Sequence, residues 1–276
     1  MNYKIVSDSS ADITSLKGVE FVSVPLKINT TEREYVDNAE LDAFGMLSDL
    51  KKYNGKSHSS CPNSEEYLEA FGDAENVFCV AITSGLSGSC NSAMTAAKEY
   101  CNAHPERKVH VIDSLSTGPE NALLIEKLEE LILSGKNFEE IKADIGEYHK
   151  HTRLIFALES MHNLSRNGRV SPIVAKVAGI LGIRVIGRAS DVGTLEIIEK
   201  SRGASKVISD IVKNMIGDGY KGGRVKIHHA DNLPAAESLK EKILEKIPNA
   251  NVEIGEARGL CSFYAEQGGL LIGFEI

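Results

Sequence analysis

Two hydrophobic rhythms alternate along this chain. One is the short, nearly continuous apolar run rich in β-branched residues, the mark of a strand buried on both faces. Residues 77–83 (VFCVAIT) are the clearest case, and 3–7, 21–28, 109–112, 154–158, 224–229, 251–257 and 270–274 read the same way. Pro25 inside 21–28 predicts an edge or irregular strand, because proline gives the ladder no N–H. The other rhythm is an apolar position every third or fourth residue. It predicts helices from Cys90 onward, over 41–51, 138–151, 204–216 and 233–247, and an apolar helix around 173–181. Asp37/Glu40, Asn63/Glu66 and Asn137/Glu140 have capping-box spacing. Pro119 opens a helix at a position where its missing N–H costs nothing.

Strand and helix alternate through about residue 150, which predicts a mostly parallel sheet with helices on both faces. Beyond that point the texture changes. Residues 184–188 and 194–201 flank the turn Ser190-Asp191-Val192-Gly193 and read as an antiparallel pair. The expectation is an α/β protein of two domains: an N-terminal parallel-sheet domain over 1–152 and a C-terminal mixed-sheet domain over 153–276, with a ligand site between them.

Composition narrows the function classes. The chain has 276 residues, 42% hydrophobic and 25% charged, as in ordinary globular proteins. A net charge of −8 argues against nucleic acid or an anionic membrane as the main partner. The longest apolar stretch, 174–187, is interrupted by Lys176 and Arg184 and cannot span a bilayer. Five cysteines without a C-x-x-C pair fit a reducing cytoplasm. His228-His229 and His149-x-His151 diverge on a strand and a helix, and no further ligand completes a metal set.

The candidate chemistry gathers where strands end, since ligands of parallel α/β sheets collect at the carboxyl ends of strands. After the 77–83 run comes Ser84-Gly85-Leu86-Ser87-Gly88-Ser89, three hydroxyls and two glycines ahead of a helix. Such a turn gathers backbone N–H groups and favours an anion. It has neither the P-loop lysine, nor the G-x-G-x-x-G spacing, nor the hydrolase elbow G-x-S-x-G. Asp8-Ser9-Ser10, the loop Ser57–Ser64 and Asp113-Ser114 are further hydroxyl-rich segments, and two of these turns converging on one ligand would make a site. Arg166, Arg169, Arg184, Arg188 and Arg202 cluster in an otherwise acidic chain and suit a phosphate or an acidic partner.

Together these pieces resemble the DegV family of bacterial fatty-acid-binding proteins. The resemblance rests on Asp8-Ser9-Ser10-Ala11-Asp12, Ser59-Ser60-Cys61-Pro62, Ile82-Thr83-Ser84-Gly85-Leu86-Ser87-Gly88-Ser89, Asp113-Ser114, Leu164…Gly168-Arg169-Val170 and Ser201-Arg202-Gly203, in family order over nearly the whole chain. It implies a non-enzymatic carrier that needs no cofactor and holds one long-chain fatty acid. Ser60, Asn63, Ser84, Ser87 and Ser89 would lie around the carboxylate. Arg169 and Arg202 would meet a fatty-acid kinase or a phosphate. Where the family has T-H-x-G-P-G, this chain has Leu260-Cys261-Ser262-Phe263-Tyr264-Ala265, so Cys261 replaces a carboxylate-binding histidine, and Arg258 or Tyr264 are nearby substitutes. Ile173, Val174, Val177, Ile180, Leu181, Val185 and Ile186 are the expected tunnel wall. The alternatives are a hydrolase of acyl or phosphate esters with Ser87 or Asp8 as nucleophile, and an interaction module built on the arginine face.

Overall fold

The computed structural model describes residues 2–175 and 182–276, the side chains of 174 and 175 excepted. In chain order the elements are β1 (Tyr3–Asp8), a 3-10 turn (Ser9–Ala11), β2 (Glu20–Val24), β3 (Lys27–Asn29), β4 (Glu34–Val36), α1 (Ala43–Lys52), β5 (His58–Ser60), α2 (Ser64–Phe71), β6 (Asn76–Ala81), α3 (Ser89–Ala103), β7 (Lys108–Asp113), α4 (Pro119–Leu133) and α5 (Phe138–Lys150). There follow β8 (Thr152–Leu158), α6 (His162–Arg166), α7 (Pro172–Ala175), β9 (Ile183–Ala189), β10 (Leu195–Arg202), α8 (Ala204–Gly217), β11 (Gly223–His229), α9 (Leu233–Lys246), β12 (Ala250–Glu256), α10 (Gly259–Ala265) and β13 (Leu270–Glu275).

The protein is a mixed α/β fold. Its first sheet, β2-β1-β6-β7, is parallel throughout. One face carries Ile5, Phe78, Val80 and Ile112 against α4 and α5; the other carries Val6, Val77 and Cys79 against α2 and α3. Both faces are therefore apolar, which is why β6 reads as an unbroken hydrophobic run. The second sheet, β10-β9-β8-β13-β11-β12, is antiparallel except for β11–β12. Its outer face (Ile155, Ala157, Val225, Ile227, Ile272) packs on α8 and α9.

The stretch 21–28 is not one strand. It is split between β2 of the parallel sheet and β3 of a small antiparallel sheet, β4-β3-β5. Pro25 marks the break, and Leu26 N then donates to Ser9 Oγ at 3.0 Å instead of continuing the ladder. The Asp37/Glu40 spacing is likewise not a cap. Helix α1 starts later and is capped by Asp42, whose Oδ1 accepts from Gly45 N at 2.8 Å. The boxes at Asn63 and Asn137 form as expected. Helix α4 lies between the two large sheets and packs on β1 and β6 as well as on β8, β11 and β13.

Candidate functional site

The inner face of the second sheet is also apolar. Leu154, Phe156 and Leu158 alternate along β8 with Ile155 and Ala157, so each set takes one face. With Leu271 of β13 and Leu195 of β10 these three form one wall of a narrow tunnel. Leu260, Cys261, Tyr264 and Ala265 of α10 and Leu164 of α6 contribute further lining, and Leu26, Ile82 and Leu86 come from the first half of the chain. About 660 Å³ of space free of protein atoms lies along it, much of it open to solvent. Its only polar lining, among the described residues, is Ser59, Ser87, Thr117, Arg169, the Cys261 thiol and the Tyr264 hydroxyl.

These polar groups are linked. Ser59 Oγ and the Tyr264 hydroxyl are 2.7 Å apart. The Arg169 guanidinium lies over the Tyr264 ring, 5.6 Å from its centroid, and Arg169 Nε donates to Leu86 O at 3.2 Å. Ser87 Oγ accepts from Ser89 N at 3.2 Å, which fixes the turn just ahead of α3. The two hydroxyl-rich loops do meet: a Cβ on Gly88 would stand 3.3 Å from Cys61 Sγ.

The turn is held from both sides. Ser84 N donates to Asp113 Oδ1 at 3.0 Å, and Thr83 Oγ1 donates to Gly193 O at 2.8 Å, so the β9–β10 hairpin rests on it. Gly193 has φ +72, and a Cβ there would lie 2.0 Å from Thr83 Oγ1; only glycine fits this contact.

Asp8 stands beneath the turn, fully buried. It accepts from Ser10 Oγ at 2.5 Å, Ser89 Oγ at 2.7 Å, the Tyr67 hydroxyl at 3.3 Å and Ile82 N at 3.0 Å. Burial raises its pKa, against the pull of these donors. It therefore organises the strand ends and is inaccessible to a substrate. Asp37 works similarly on α10. It accepts from Ser9 Oγ, Gly259 N and Leu260 N at 2.9 Å each. Burial, with the Asp12 carboxylate adding to it, pushes its pKa up to about 6. Asp12 in turn accepts from Arg258 N and pairs with His228 Nδ1, both at 2.8 Å. The D-S-S-A-D segment thus serves to clamp α10, the helix that carries Cys261 and Tyr264 into the tunnel. Cys261 donates to Ser10 O at 3.3 Å, and burial holds its thiol far above the usual range.

Of the residues singled out by the sequence, Ser87, Arg169, Cys261 and Tyr264 line the tunnel. Ser60, Asn63, Ser84, Ser89, Arg202 and Arg258 do not. Ser60 accepts from Asn29 Nδ2, Asn63 caps α2, and Ser84 is exposed. Ser89 is buried on Asp8, Arg202 is exposed, and the Arg258 guanidinium donates to Asn38 O. Ile173, expected in the wall, is 80% exposed. Val185 packs on the tunnel side of its sheet, whereas its neighbour Ile186 faces α8, as alternation along a strand requires. Val177, Ile180, Leu181 and the Val174 side chain lie outside the described residues. Ser59 was part of the hydroxyl-rich loop but was not assigned to the site, and 154–158 was read as a buried strand and not as tunnel wall; the available signal was that β8 is apolar at every position from Leu154 to Leu158. His229 stacks on Phe44, and no group of potential metal ligands occurs among the described residues.

A family model described as the uncharacterised DegV family matches residues 2–275. A DegV domain-containing protein of Streptococcus pneumoniae is 44% identical over the full length of both chains. The solved structure of the Streptococcus pneumoniae Fatty Acid Kinase (Fak) B3 protein loaded with linoleic acid superposes with a TM-score of 0.98, at 44% identity over 100% of each chain. A DegV family protein from Eubacterium eligens loaded with heptadecanoic acid gives 0.96, at 44% identity over 99% of each chain.

Proposed function

The chain belongs to the DegV family, and from that premise we propose that it binds one long-chain fatty acid as a non-catalytic carrier. The observation that carries this reading is the tunnel itself, apolar along its walls, with a small polar group of Ser59, Ser87, Arg169 and Tyr264. The acyl chain lies in the tunnel and the carboxylate meets that polar group. Ser60, Asn63, Ser84 and Ser89 shape the two loops behind it, Cys261 belongs to the clamped helix, and Arg258 is that helix's N-cap. Two relatives crystallised with straight and unsaturated fatty acids support the ligand class.

The energetics divide the work. Roughly a dozen buried methylenes contribute about 10 kcal/mol gross, at ~0.8 kcal/mol each. Association and ordering take back several. Each charge-assisted hydrogen bond adds only about 1.5–3 kcal/mol. The walls set affinity, and the polar group sets which end enters.

Arg202 is exposed and suits contact with an acidic partner or a phosphate. We propose that partner to be a cytoplasmic kinase that phosphorylates the bound carboxylate, a reading supported by the name of the pneumococcal relative. The hydrolase alternative finds little purchase: Asp8 is buried, and among the described residues no histidine or carboxylate is hydrogen-bonded to Ser87 Oγ to serve as its base. No described helix is long and apolar enough to cross a membrane, and all five cysteines are free thiols.

Native mass spectrometry of the purified protein, followed by delipidation and reloading, tests the carrier reading. A stoichiometric adduct with the mass of a free fatty acid is expected. A protein that stays unliganded after incubation with C16 and C18 acids would refute it.

A further inference from the structure

The tunnel wall contains one aromatic residue of β8, Phe156, and its cross-strand neighbour on β9 is a glycine, Gly187. On the other side Phe156 is paired with Leu271, itself a tunnel residue. The ring does not stand over its own strand. It lies across Gly187: a Cβ there would fall 2.3 Å from Phe156 Cζ and 2.6 Å from Cε2. The ring occupies the space that a side chain on β9 would take, as aromatic side chains do when they cover a glycine in a sheet.

The position matters because Leu154 and Leu158 line the same tunnel on either side of Phe156. Alternate residues of a strand are about 6.6 Å apart, at roughly 3.3 Å per residue. The tunnel therefore follows β8 for roughly 13 Å, with the ring at the middle of that length. A bulge at mid-tunnel discriminates by the shape of the chain more than by its length. A straight saturated chain passes it, whereas a chain bent by a cis double bond near its middle needs the wall to recede there.

We propose that the Phe156–Gly187 pair is the shape selector of this tunnel: Gly187 provides the slot that withdraws the Phe156 ring and so admits chains with a mid-chain cis bend. The inference rests on the fatty-acid reading above. Gly187 acts only through Phe156 and touches no ligand.

The test is competitive loading of delipidated protein with an equimolar mixture of stearic, oleic and linoleic acids, with the bound acids extracted and quantified. Loading of the unaltered protein is measured first; if it takes up none of the three, it is the carrier reading that fails. With loading established, Gly187→Ala should raise the saturated-to-unsaturated ratio at least fivefold while total occupancy stays near one per chain. The added methyl also approaches Glu196 O, at 2.6 Å from the Cβ position, so a second variant guards against simple misfolding. Phe156→Leu removes the ring without touching β9 and should shift the ratio at least threefold toward the unsaturated acids. Phe156→Leu in the Gly187→Ala background should restore uptake of oleic acid. If Phe156→Leu leaves the ratio within 1.5-fold of the unaltered protein, the selector does not exist, whatever Gly187→Ala does. An equal loss of all three acids in a folded Gly187→Ala protein would overturn it as well.

Discussion

Ser87 and Asp37 show how little of this site rests on exposed charge. Ser87 is held in place by the N–H of Ser89 and presents its hydroxyl to the tunnel. Ser87→Ala should therefore disorder the head group of the bound acid while weakening affinity by no more than about tenfold, the equivalent of ~1.4 kcal/mol. A crystal structure of the loaded variant with an unchanged carboxylate position would contradict the assignment. Asp37 makes a different prediction. Its pKa of about 6 in the fold exceeds the ordinary value near ~3.9. The folded protein thus keeps a proton that the unfolded chain has shed between about pH 4 and pH 6. The resulting stability is fully present below pH 4 and lost as pH rises through 6. In Asp37→Asn this slope should vanish, so that urea midpoints of the two proteins, compared from pH 4 to pH 7, change their separation in that window alone. A separation that is constant with pH would show that Asp37 titrates normally.

Among the elements, α2 offers the plainest measurement. Asn63 and Glu66 satisfy each other's backbone N–H groups, at 3.0 and 2.8 Å, and Asn63→Ala should cost about 1 kcal/mol in urea unfolding. Fatty-acid loading should survive, since the cap stands behind the site. This box, the one at Asn137 and the β9–β10 hairpin were readable as local patterns because each closes within a few residues. The parallel sheet was readable because both of its faces are buried. Helix α10 was not. It is only seven residues long and apolar nearly all round, so it shows no period, and its start is capped by Asp37, more than two hundred residues away in sequence. The small sheet was hidden by shortness, since its strands have three residues each and show no alternation. The tunnel wall was hidden for another reason. A strand facing a core and a strand facing a ligand have the same composition, and only the packing on the far side distinguishes them.

For the molecule as a whole, a fatty acid held in the tunnel would be a structural component of the interior. A ligand present at a hundred times its dissociation constant stabilises the fold by about 2.7 kcal/mol. For a chain of this size that corresponds to a rise in melting temperature of roughly 5 °C. Calorimetry before and after delipidation should show it, and identical midpoints would mean that the tunnel holds nothing. Helix α4 carries a further consequence. Its Leu124, Ile125 and Leu128 belong to the core of the first sheet. Its first turn abuts the second, where a Cβ on Gly273 would lie 2.6 Å from Glu120 N. Lys226 and Arg224 of β11 are paired with Glu126 and Glu130 of the same helix. Neither sheet can shed this helix without baring the other, so the two halves melt as one. The ratio of calorimetric to van't Hoff enthalpy should be close to unity, and a protease should find no surviving half-molecule along the way.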